Sequence, residues 1–208
     1  KLLGAEFDLD EVYAFAAGEP VLAKLVRELR GLRPPIAVEP FESLVTSITA
    51  QQVSLRAAFA IRNRLIERFG VRAEQAYAFP TRERIGIAQP DELFEIGFSH
   101  RKADYAVGLA RSDLDLEALA LLSDEEVKAT LTALPGIGEW TADWFLARHL
   151  ARPTAWPAGD LGLRKAVSRF YGEGRELTTK EVRAIGERFD PFENLTAHYL
   201  LAGLLRET

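Results

Sequence analysis

Leu134-Pro135-Gly136-Ile137-Gly138 constrains this chain more than any other stretch. Proline and glycine side by side end a preceding helix, and Gly138 lets the backbone turn tightly and come close to something outside. A helix follows at once, because Trp140, Trp144 and Phe145 recur at helical spacing. The helix before the turn is signed as well: Ser123-Asp124-Glu125-Glu126 places a cap at Ser123 and a Glu three residues on, a capping box. The unit is therefore helix, Gly-rich hairpin, helix. Bare amides at Gly136, at Gly138 and at the new helix start form an anion site suited to a phosphate. A short run later comes Pro157-Ala158-Gly159-Asp160.

The remaining chain reads as helices with ordinary start and stop signals. They are expected over Phe7–Ala17, from Pro20 to the stop at Gly31, from Pro40 through Ile48, and over Leu55–Phe69 with Ser54 as cap and Gly70 as stop. Further helices are expected over Thr81–Ala88, Pro90–Ile96, Arg101–Ala110 and Leu116–Leu122. Beyond the hairpin they run over Asp160–Tyr171, from the second capping box at Thr178-Thr179-Lys180-Glu181, and from Asp190-Pro191 to about Leu205. No stretch alternates with period two, and no Asn-Gly or Asp-Gly turn appears. The expected fold is all-α, with about ten helices. Between the third and fourth helices lies a polar break, Thr49-Ala50-Gln51-Gln52-Val53-Ser54.

Composition narrows the chemistry. Cysteine is absent, which excludes disulfides, thiolate zinc sites and iron–sulfur clusters. His100, His149 and His198 have no metal-ligand spacing. No apolar run approaches the roughly 18 residues of a membrane span, so no membrane partner is expected. No basic-then-apolar leader opens the chain. The net charge of −5 argues against indiscriminate polyanion binding. The charge is uneven, however. Residues 56–72 and 148–169 each carry a net +4 and flank the two motifs, and solvated helix faces would account for the same arginines.

The hairpin, its aromatic helix, the later aspartate and the upstream Gln-Gln break together resemble the helix-hairpin-helix DNA glycosylases, within them the 3-methyladenine DNA glycosylase II type. The resemblance runs from about residue 38 to the end. It implies two interleaved lobes, roughly 1–40 with 155–208 and 41–154, around a cleft. It implies a short form without the β-rich domain that many members carry first.

For function, the resemblance implies a DNA repair enzyme that flips alkylated bases from double-stranded DNA and hydrolyses the N-glycosidic bond, leaving an abasic site. Asp160 falls at the family's catalytic aspartate; as a residue ahead of a helix it is also an N-cap by local chemistry. Trp140 and Trp144 share a helix face and are either core aromatics or the wall of a base pocket, with Tyr199 and Phe98 as further candidates. Gln51 and Gln52 fall where the family fills the hole left by the flipped base, and Ser54, Gly136, Ile137 and Gly138 join them as DNA contacts. Trp140 stands where bifunctional relatives have a Schiff-base lysine; Lys102 and Lys165 have nothing in the sequence to recommend them instead. Water is then the nucleophile. No cofactor is required, and a Na or K ion on the carbonyls of Thr132, Leu134 and Ile137 is implied by resemblance alone. A monomer is expected, working with the chromosome in a prokaryotic cytoplasm or in a nucleus. Two alternatives stay open: a glycosylase for another lesion class, and a non-catalytic module that grips DNA.

Overall fold

Most helix boundaries follow from local chemistry. The computed structural model describes residues 2 to 207, and these form twelve α-helices and one two-stranded ribbon. Asp8 caps α1 (Leu9–Ala16) by accepting the amides of Asp10 and Glu11. Proline occupies the first position of α2 (Pro20–Glu28), α3 (Pro40–Ala50) and α6 (Pro90–Glu95), where its missing N–H costs nothing. Ser54, Thr81 and Ser99 cap α4 (Leu55–Phe69), α5 (Arg82–Ile87) and α7 (His100–Arg111) by accepting an amide three residues on. Both expected capping boxes form, at Ser123 ahead of α8 (Asp124–Thr132) and at Thr178 ahead of α11 (Thr179–Gly186). α9 (Glu139–Arg148), α10 (Leu161–Tyr171) and α12 (Glu193–Glu207) complete the set.

Three expectations are corrected. Leu116–Leu122 contains a single 3-10 turn, Ala118–Leu121, instead of an α-helix. The last helix starts at Glu193, beyond Asp190-Pro191. A short antiparallel ribbon pairs Val71–Ala73 (β1) with Ala76–Ala78 (β2), Arg72 opposite Tyr77. Three-residue strands are too short to alternate legibly, and the β2 side chains are all exposed, so no apolar face marks them. Their tight turn uses Glu74 in the left-handed region, φ 52°, in place of the Asn or Gly that would have announced it.

The chain divides into two compact units, the first running to Ala37 and resuming at Leu146, the second spanning Val38–Phe145. In the first, α12 packs on α2 and α10, and α10 on α11. Leu22, Leu163, Val167, Tyr199 and Leu200 lie in its core with no measurable exposure. In the second, α7 packs against α3, α5 and α6, and α3 against α4. Leu44, Ile48, Leu65, Ile85 and Leu93 are completely buried there. Each such side chain contributes about 1.5–3 kcal/mol of burial. The boundary falls within α9, after Phe145. No described helix is long and apolar enough to cross a membrane.

Candidate functional site

The two hairpin glycines do different work. The Ile137 amide donates to the Leu134 carbonyl at 3.2 Å and closes a four-residue turn. Pro135 and Gly136 fill its centre, and Gly136 has φ +82°, the pattern of a type II turn. Tyr105 of α7 covers the same glycine: a Cβ there would sit 2.7 Å from ring Cε2 and closer still to Cγ and Cδ2. Gly136 is thus fixed by backbone angle and by packing. Gly138 lies outside the left-handed region, and nothing lies within 4 Å of where its Cβ would be. Its carbonyl accepts the Thr141 and Ala142 amides at 3.0 and 3.1 Å and so starts α9. The turn expected of Gly138 is therefore made by Gly136, and Gly138 leaves open space over the first turn of α9. Ile137 spends its amide on the turn and buries its side chain to 4% exposure, so it anchors the hairpin instead of facing outward.

The Gln51-Gln52 break splits in the same way. Gln51 is half-buried, and its Nε2 donates to the Gly136 carbonyl at 2.9 Å and to Thr141 Oγ1 at 3.2 Å. It is tied to the hairpin and does not project as a plug. Gln52 is exposed, with φ 54°, and forms the tip. Beside it Val53, Leu55 and Phe59 expose apolar surface at the start of α4. Ser54 Oγ accepts the Ala57 amide at 3.2 Å, which leaves its own proton to donate. Lys102 Nζ donates to the carbonyls of Gln51 and, at 3.0 Å, Thr49. That amine is engaged in structure, and desolvation lowers its pKa.

Asp160 belongs to the other unit. Its Oδ1 accepts the Leu163 amide at 2.9 Å and its carbonyl accepts the Arg164 amide, so the carboxylate is held at the N-terminus of α10. Gly162 gives it room: a Cβ there would approach Oδ1 to 3.0 Å. Arg148, from the last turn of α9, is the charged neighbour that sequence reasoning missed. Desolvation lowers its pKa, and the negative charge of Asp160 opposes that shift. Arg148 Nε reaches His198 Nε2 at 3.4 Å, and His198 Nδ1 lies 2.8 Å from the Asn194 carbonyl. Burial, then the Arg148 charge, pull the His198 pKa down to about 4. An arginine in a last helical turn is ordinary, so no sequence signal marks it.

The aromatic candidates do not fare alike. Trp140 is half-buried and Trp144 is 7% exposed, both on α9. Phe98 and Tyr199 are 2% and 0% exposed. Both are corrected from pocket wall to core, because neither offers a ring face to a base. Burial raises the Tyr199 phenol well above its ordinary range. The basic stretches are also partly occupied by contacts within the chain: Arg62 pairs with Glu42, Arg64 holds the Ile96 carbonyl, Arg164 the Leu177 carbonyl, and Arg169 pairs with Glu207 at the surface. Among the described residues no His, Asp or Glu group could hold a metal. Thr132 ends α8, where helix carbonyls lack helical donors, and the Leu134 carbonyl already takes the Ile137 amide.

Residues 45–191 match the model of the HhH-GPD superfamily of base excision DNA repair proteins. A DNA-3-methyladenine glycosylase of Bacillus subtilis is 30% identical over 201 residues, covering 93% of this chain and 66% of that protein. DNA-3-methyladenine glycosylase 1 of Schizosaccharomyces pombe is 32% identical, covering 86% of this chain and 78% of that one. The solved structure of a 3-methyladenine DNA-glycosylase from Archaeoglobus fulgidus superposes with a TM-score of 0.86 at 36% identity, over 93% of this chain and 68% of that one. The chain thus spans about two thirds of the length of the Bacillus relative.

Proposed function

Because this chain belongs to the HhH-GPD superfamily of base excision DNA repair proteins, we propose that it removes alkylated bases from double-stranded DNA by hydrolysing the N-glycosidic bond, leaving an abasic site. The observation that carries the reading is Asp160, a carboxylate held by the Leu163 amide in the first turn of α10. Departure of a base from C1′ leaves an oxocarbenium-like sugar. A fixed carboxylate stabilises that cation and orients or deprotonates the attacking water. An N-alkylated purine is itself cationic, and the half-buried Trp140 indole can reward that charge by about 2 kcal/mol once desolvated. This offsets part of the few kcal/mol that flipping costs. A cationic purine is also a good leaving group and needs little protonation.

In this reading the open backbone at Gly138 receives a phosphate, and the exposed Gln52 tip fills the gap left by the flipped nucleotide, with Ser54 donating nearby. No lysine stands at Trp140, and Lys102 is committed to two carbonyls, so the strand is left uncut. A monovalent ion, if held at the hairpin, would rest on the Thr132, Leu134 and Ile137 carbonyls and would supply only structural charge. The enzyme acts as a monomer on chromosomal DNA. The test is incubation with duplexes bearing single lesions, followed by alkali. Strand breaks after alkali at 3-methyladenine or 7-methylguanine support the reading; release of only oxidised or deaminated bases, or of none, refutes it.

A further inference from the structure

Three contacts in the second unit close on one another. The hairpin is fastened to α7 where Gly136 packs beneath the Tyr105 ring. The end of α3 is fastened to α7 by Lys102, whose ammonium takes the Thr49 and Gln51 carbonyls. Those carbonyls end a helix and have no helical donors of their own, and a cation at that end is favourable. The third side is Gln51, whose amide nitrogen bonds the Gly136 carbonyl and Thr141 Oγ1. A glutamine amide carries two donor protons, so both have partners within the protein and neither is left for a base or a phosphate. One residue on, Gln52 turns into the left-handed region and stands exposed.

We infer that Gln51 is a positioning residue: it registers the exposed Gln52 tip against the hairpin, so that gripping the backbone and filling the gap are one coupled event. This rests on the reading of the chain as a base-flipping enzyme. Without Gln51 the junction stays attached to α7 through Lys102 but loses its link to the hairpin and to the first turn of α9. The tip then has to be ordered at the moment of insertion. The penalty falls on DNA with a gap to fill, and intact duplex, which offers none, is affected much less.

The experiment measures Kd for an intact duplex and for the same duplex carrying one tetrahydrofuran abasic-site analogue, with melting curves for each variant. The readout is the ratio of the two affinities, which no overall loss of fold or of charge would move. Gln51→Ala should lower the preference for the abasic duplex about tenfold, which is 1.4 kcal/mol. Thr141→Val removes one of the two bonds and should lower it about threefold. Thr141→Ser retains the hydroxyl and should behave as wild type. If Gln51→Ala does not fold, the Thr141 pair carries the test. An unchanged ratio, equal weakening toward both duplexes, or a wild type with no preference for the abasic duplex overturns the inference. Because no chemistry is read, a wild type that excises no alkylated base would defeat the proposed function while leaving this ratio measurable.

Discussion

Replacing Gly136 and Gly138 separately by alanine should produce opposite failures two residues apart. At Gly136 the substitution forces a non-glycine residue to φ +82°, which costs about 1–3 kcal/mol. The new Cβ also enters the space of the Tyr105 ring, and displacing a half-buried ring costs roughly another 1–3 kcal/mol. Together these give about 2–6 kcal/mol. At roughly 2–4 °C per kcal/mol for a chain of this size, Tm should fall by about 4–24 °C. At Gly138 the Cβ meets nothing. The only structural penalty is alanine as a poorer helix cap than glycine, about 1 kcal/mol or less. DNA affinity should nevertheless fall on the order of tenfold, since one charge-assisted phosphate bond contributes about 1.5–3 kcal/mol. Thermal melting and duplex binding by anisotropy, on both variants, read the two effects independently. A Gly136→Ala protein that melts with the wild type refutes the turn argument. A Gly138→Ala protein that binds duplex undiminished refutes the phosphate approach.

Asp160→Asn should keep DNA binding and lose at least about 10²-fold in single-turnover excision; a rate within about threefold of wild type would remove the carboxylate from the chemistry. His198 should make stability depend on pH: its folded pKa of about 4 lies below the unfolded 6.5. The unfolded chain then takes up the proton first. This contribution is fully present above about pH 6.5 and is lost as pH falls through about 4, for a total of roughly 3 kcal/mol. Urea midpoints between pH 7.5 and 4.5 should drop more for wild type than for His198→Gln, and parallel profiles would exclude the assignment. On the proposed reading, borohydride should trap no covalent enzyme–DNA adduct, since position 140 carries Trp140 with no amine and Lys102 holds two carbonyls; a trapped adduct would make the enzyme a lyase.

What was legible in the sequence was local. Caps at Ser54, Ser123 and Thr178 were readable because cap and amide lie within three residues. The β1–β2 ribbon was not, because strands of three residues carry no period and Glu74 takes a conformation its type does not advertise. At the site, the helix-hairpin-helix frame and the capping position of Asp160 could be read. The roles of Gln51 and Gln52 could not be separated, because the partner of Gln51 lies 85 residues away. Phe98 and Tyr199 failed as pocket candidates for a similar reason: burial is set by which helices pack, and spacing alone does not report that. The Arg148 neighbourhood of Asp160 has the same origin.

Asp160 holds α10 by its own Oδ1, and asparagine performs that duty about as well as aspartate. On the proposed reading, inactivation by this one change would cost stability only through the charge lost beside Arg148, and would be far less visible than a core substitution to the proteases and chaperones that monitor folding, because they respond to stability. A population could accumulate such alleles at full protein abundance. Each product would be a well-folded protein that still finds lesions, occupies them and withholds them from repair. In the laboratory the same property is useful, since the Asp160→Asn protein would serve as a long-lived reporter of where the damage lies.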